Sequence, residues 1–156
     1  MALNIGNGDE VITTPMTFIA TVGAIVATGA KPVFVDSEDG FVIDPEKIAE
    51  AINEKTKAIV PVHYGGMAAD IDRLTQLIEV HGNSNIVEDN AHGLFGSHGD
   101  SPLGSFGRFS TLSFHETKNF SCGEGGALVI NEKRDVARAH TLYDKGTNRA
   151  AFLDGR

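Results

Sequence analysis

The chain has 156 residues, 41% hydrophobic and 22% charged, a size and balance that suit one globular domain with a sizeable core. Its 13 basic and 21 acidic side chains leave a formal net charge of −8, which argues against nucleic acid or an anionic membrane as partner. The single cysteine, Cys122, excludes an internal disulfide and any multi-cysteine metal site, while the 18 glycines exceed ordinary composition.

Met1–Glu10 has neither a basic n-region nor a continuous apolar run, so it does not read as a signal peptide. Val11–Ala30 carries no charge and is long enough to span a bilayer, but five threonines, Pro15, Gly23 and Gly29 dilute its hydropathy. A short strand over Val11–Thr14 and a buried helix, introduced by Pro15 and Thr17 and ending near Gly29, explain it better. The expected location is cytoplasmic, with no membrane partner.

Pro32–Asp36 reads as a buried strand. Asp44-Pro45 is a helix entry, with Asp as the N-cap and Pro at the first helical position, opening Pro45–Asn53. Ala58–Val62 is the next strand. Asp70–Val80 is helical, with Ile71, Leu74, Leu77 and Ile78 on one face and Gly82 as its stop. Asn85–Val87 is a strand that runs into Glu88-Asp89, followed by a Gly-rich stretch from Gly93 to Gly107. Strands over Phe109–Phe114 and Ala127–Ile130 and a helix over Asp135–Tyr143 complete the order. Strands alternating with helices predict an α/β fold: a mainly parallel sheet with helices on both faces. Ligands in such sheets bind at the carboxyl ends of the strands. Those ends are Thr14–Phe18, Asp36–Asp39, His63–Gly66, Asp89–His92 and His115–Lys118.

Two of these ends carry reactive groups. Lys118, shortly after the Phe109–Phe114 strand, is either a solvated surface lysine or a desolvated amine able to attack a carbonyl. A carboxylate of Glu88-Asp89 either caps the next turn or holds a protonated ring nitrogen. His63, His92, His98 and His115 show no i, i+3 or i, i+4 helical pairing, so no metal is expected. Ser113, His115 and Glu116 lack a Gly-x-Ser-x-Gly elbow, which weakens a hydrolase triad. Gly123–Gly126 precedes a strand and is neither a P-loop nor a dinucleotide fingerprint.

The motifs in their order resemble the DegT/StrS family of nucleotide-sugar aminotransferases. They are Gly8–Ile12, Thr17-Phe18-x-Ala20-Thr21, Gly29–Asp36, Lys55–Gly66, Glu88-Asp89-x-Ala91-His92-Gly93, Ser113-Phe114-His115-x-x-Lys118-Asn119 and Gly123–Ala127. Ser113–Asn119, with Lys145–Arg149 and Gly155, is most similar to the dTDP-4-amino-4,6-dideoxygalactose transaminase branch. The resemblance implies the three-layer αβα large domain of a fold-type-I, aspartate-aminotransferase-like enzyme using pyridoxal 5'-phosphate (PLP). Lys118 matches the lysine that carries PLP and moves the proton. Asp89 matches the partner of the pyridinium nitrogen, which keeps the ring an electron sink. His92 matches a residue near the phenolic oxygen, Phe18 the aromatic stacked on the ring, and Ser113 a phosphate-binding hydroxyl; for His92 and Phe18 a core residue is the alternative.

The implied reaction moves an amino group from L-glutamate to a nucleotide-linked keto-sugar, in a homodimer when full length. Family members are more than twice as long. Residues 1–156 are therefore expected to be a truncated large domain, lacking an N-terminal phosphate-cup segment and a C-terminal small domain. Such a fragment is expected to bind PLP weakly or not at all. The alternative is a catalytically silent remnant, or an oligomerising α/β module of the same family.

Overall fold

The computed structural model describes every residue except Asn83, Asn148, Asp154 and Arg156, so Asn148 of the Lys145–Arg149 run lies outside the described residues. Among the described residues eight strands form: β1 Glu10–Thr13, β2 Lys31–Phe34, β3 Thr56–Val60, β4 Asn85–Asp89, β5 Ser97–His98, β6 Ser101–Pro102, β7 Phe109–Ser113 and β8 Gly126–Ile130. The α-helices are α1 Ile19–Ala27, α2 Pro45–Ala51, α3 Ile71–His81, α4 Val136–Tyr143 and α5 Arg149–Leu153. Six strands make one sheet in the order β2-β1-β3-β4-β7-β8. All neighbours are parallel except β8, which runs antiparallel to β7. The Gly93–Gly107 stretch holds the small antiparallel pair β5-β6.

Side-chain alternation along the strands separates two cores. Ile12, Ile59 and Ile86 face α2 and α3, packing with Ile48, Ile52, Leu74 and Leu77. Val11, Ala58 and Val60 face the other way, against Ile25 of α1 and the flanking Leu3 and Ile5. The first face is closed. The second is covered only in part, which corrects the expectation of a buried first helix: Ile25 is the one buried residue of α1, and Ile19 stands 76% exposed. That helix also starts later than Pro15 and Thr17 suggest, because Phe18 stays extended as its N-cap residue.

The capped helices follow their sequence signals closely. Asp44 accepts hydrogen bonds from the Glu46 and Lys47 amides at 2.8 and 3.4 Å, with Pro45 at the first position. α2 nevertheless stops at Ala51, since Ile52 turns extended to bury its side chain. Asp70 caps α3 through the Arg73 amide at 3.0 Å, and left-handed Gly82 ends it.

The polar centre of the fold is Glu88, fully buried on β4. His63 Nδ1 accepts the Ala69 amide at 3.2 Å, which places the ring proton on Nε2. Nε2 then donates to Glu88 Oε2 at 2.9 Å. Three backbone amides complete the carboxylate: Gly104 at 2.7 Å, Phe106 at 2.8 Å and Gly107 at 2.6 Å. Gly107 must be glycine, because a Cβ there would lie 2.7 Å from the Ile86 carbonyl oxygen.

Two arginines secure the opposite end. Arg108 forks onto Asp135 at 2.6 and 2.7 Å, fixing the entry to α4. Arg138 of α4 donates to the carbonyls of Ala2 and Met1 at 3.0 and 3.1 Å, and to Asn4.

Burial alone would raise the Glu88 pKa, but the His63 bond and the three amides outweigh it and hold the carboxyl below its ordinary 4.5. A lowered carboxyl contributes stability that is full above its unfolded value and fades as pH falls through the native one. Acid denaturation should therefore steepen below about pH 4.5 in the parent chain, and Glu88→Gln should flatten that dependence. Glu88→Ala leaves four donors unpaired and should cost about 3–5 kcal/mol in urea unfolding.

Candidate active site

The chain leaves β1 for β2, then returns across β1 to β3, so its topological switch lies between β1 and β3. Asp89 closes β4 with its amide bonded to Pro61 O at 2.9 Å and its carbonyl bonded to the His63 amide at 3.1 Å. The half-buried carboxylate accepts the Thr21 hydroxyl on Oδ2 at 2.5 Å and the Ala91 amide on Oδ1 at 3.2 Å. Asp89 thus shapes its own turn and also presents its charge beside α1. The Ala91 bond is the turn cap that one of its sequence readings expects.

Lys118 sits in the connection between β7 and β8, where short-range bonds fix the turn. Its amide donates to His115 O at 2.9 Å, and the Thr117 amide donates to His115 Nδ1 at 3.2 Å. The His115 proton is therefore on Nε2, 3.6 Å from Glu124. Asn119 Nδ2 reaches the Leu94 carbonyl at 3.2 Å and ties this turn to the chain beyond Asp89. Lys118 is half-buried rather than a freely solvated surface lysine.

Phe18, Asp89, Ser113 and Lys118 all line one cavity of about 960 Å³ on the incompletely covered face. Its remaining walls are largely apolar, among them Val60, Val87, Phe109 and Leu128. Phe18 is 75% exposed, which overturns the core reading of this residue. Ser113 Oγ accepts the His115 amide at 3.4 Å.

His92 is not on the cavity wall. It packs edge-on against Tyr64, ring centres 5.3 Å apart, and its Nδ1 accepts the Gly65 amide at 3.4 Å. Burial first, and then the positive charge of Lys118, lower its pKa; Asp89 opposes them.

The sequence reading did not single out Thr21 as a site residue. Its i, i+4 spacing from Thr17 across the start of a helix is the signal that identifies it.

The sheet order, with a site at its carboxyl edge, defines the three-layer αβα architecture of fold type I. Residues 1–154 match the model of the DegT/DnrJ/EryC1/StrS aminotransferase family, and the chain belongs to that family. It is 40% identical over 152 residues to the spore coat polysaccharide biosynthesis protein SpsC of Bacillus subtilis (strain 168), covering 97% of this chain and 39% of that protein. Among solved structures it resembles the aminotransferase from Psychrobacter cryohalolentis, with TM-score 0.87 and 38% identity over 98% of this chain and 39% of that one. It also resembles the PLP form of a putative sugar aminotransferase from Streptococcus pneumoniae, with TM-score 0.81 and 36% identity over 89% of this chain and 39% of that one. The chain thus spans about two-fifths of the length of these relatives.

The lowered His92 pKa gives a test of the site's electrostatics that needs no ligand. By NMR titration, Lys118→Met should move His92 up toward its ordinary 6.5, and Asp89→Asn should move it further down. An unchanged titration in both variants would separate His92 from these two charges.

Proposed function

We propose that this chain carries the PLP-binding part of an aminotransferase that moves an amino group from L-glutamate to a nucleotide-linked keto-sugar. The observation that carries this reading is the convergence of Lys118 and Asp89, from two different strand ends, on one cavity. The family membership and the sugar aminotransferase among its structural relatives support it.

The residues present fit the cofactor. Asp89 offers a fixed carboxylate for a protonated ring nitrogen, Lys118 a primary amine, Ser113 a hydroxyl for phosphate, and Phe18 a flat apolar plate. The family resemblance assigns the phenolic oxygen to His92, which does not itself line the cavity. When bound, PLP supplies an electron sink for a carbanion at the substrate's α-carbon. Lys118 would hold the cofactor and then carry the proton that leaves and returns at that carbon. Asp89, oriented before any ligand arrives, would stabilise positive charge at the ring nitrogen without reorganising. Thr21 and the neighbouring apolar wall would exclude water from that contact.

In this reading the full-length protein is a cytoplasmic homodimer. Phe18 and Ile19, 75% and 76% exposed beside the cavity, are the surface a second subunit would cover.

Because Phe18 is so exposed, affinity for PLP should be weak, and covalent fixation is the appropriate readout. With PLP and borohydride, peptide mapping should place the stable adduct mainly at Lys118, and Lys118→Ala should abolish that signal. Adducts spread evenly over the other lysines would refute the reading.

A further inference from the structure

Asp89 receives more support than a ring-nitrogen partner alone requires. Its Oδ2 accepts from Thr21 Oγ1 at 2.5 Å, and Thr21 Oγ1 lies 2.8 Å from Thr17 Oγ1. A carboxylate can only accept, so the single Thr21 hydroxyl proton points at Asp89. Thr17 must then donate to Thr21. The geometry fixes a directed chain from Thr17 to Thr21 to Asp89, in which each bond polarises the next.

This chain has no evident duty in building α1. No side-chain hydrogen bond caps that helix, and the Thr21 amide is satisfied by the Phe18 carbonyl at 3.1 Å. The two hydroxyls are directed at the carboxylate instead. The Ala91 amide holds Oδ1 at 3.2 Å, so each Asp89 oxygen has one donor from a different element. With both held, the carboxylate cannot swing about its terminal torsion, yet each oxygen keeps acceptor capacity on the cavity side. Thr21 and Asp89 line that cavity together.

We propose that Thr21 is a positioning residue for the cofactor's ring nitrogen. Its hydroxyl, backed by Thr17, aims Asp89 at the protonated nitrogen of PLP. This proposal rests on the PLP reading above. Thr21→Val keeps the side chain's shape and removes the aiming donor, whereas Thr21→Ser keeps the donor.

The test compares PLP with its 1-deaza analogue, which lacks the nitrogen that Asp89 meets. Half-saturation of borohydride-fixed adduct at Lys118 is measured for both compounds. The parent chain should prefer PLP by roughly tenfold, the worth of one charge-assisted hydrogen bond. Thr21→Val should erase that preference, and Thr21→Ser should restore most of it. A merely structural role for Thr21 would weaken both compounds alike, so a preference surviving in Thr21→Val overturns the proposal and leaves the PLP reading intact. No Lys118-selective adduct in the parent chain overturns both. Far-ultraviolet circular dichroism matching the parent's establishes that Thr21→Val is folded; if it is not, Thr17→Val, one bond further from Asp89, must reduce the preference or the proposal fails.

Discussion

A buried carboxylate holds this molecule together at its most vulnerable place. Glu88 gathers one imidazole and three amides around a charge that no water reaches. In a low-dielectric interior such a charge is tolerable only when its lone pairs are all directed at donors. Here those donors come from the Gly104–Gly107 segment and, through His63, from the chain that follows β3. Neither segment belongs to a long helix or strand, yet both are fixed to β4 one residue before Asp89. The irregular parts of the site inherit their order from this anchor.

The two faces of the sheet divide the work. One, sealed by α2 and α3, supplies the closed aliphatic core, with Ile12, Ile48, Ile59 and Leu74 fully buried. The other is left partly bare, and the cavity occupies it. Asp89, Ser113 and Lys118 stand at or beyond the ends of β4 and β7, while most of the interior wall is apolar. Such a boundary suits a flat polar molecule that needs a few directed contacts and a dry surface beneath its ring. His92, which does not line the cavity, registers the opposing charges of Lys118 and Asp89.

Much of this architecture is legible in the residues. The β-branched runs gave the strands to within about two residues, and Asp44-Pro45 and Asp70 marked two helix starts because capping is a local interaction. The motif order located Asp89 and Lys118 at strand ends that the sheet then brought to one cavity. What stayed hidden was non-local or relational. The antiparallel course of β8 depends on the loop from Phe114 to Gly125 closing on itself through the Phe114 amide and Gly125 carbonyl, and the openness above α1 depends on what does not pack there. Nothing in the sequence joins His63 to Glu88, 25 positions apart; only their separation of 2.9 Å reveals a structural pair. Thr21 was visible as a letter in a motif, but its bond to Asp89 spans 68 positions.

Arg138 carries an implication for the order in which the molecule is made. Its guanidinium holds the carbonyls of Met1 and Ala2. During synthesis residues 1–5 leave the ribosome long before residue 138 exists. Leu3 and Ile5, whose place is beneath α1, therefore wait as loose apolar chain while the parallel strands pair. This segment is made well before the side chain that fastens it, and a nascent chain halted before α4 would carry it unmoored.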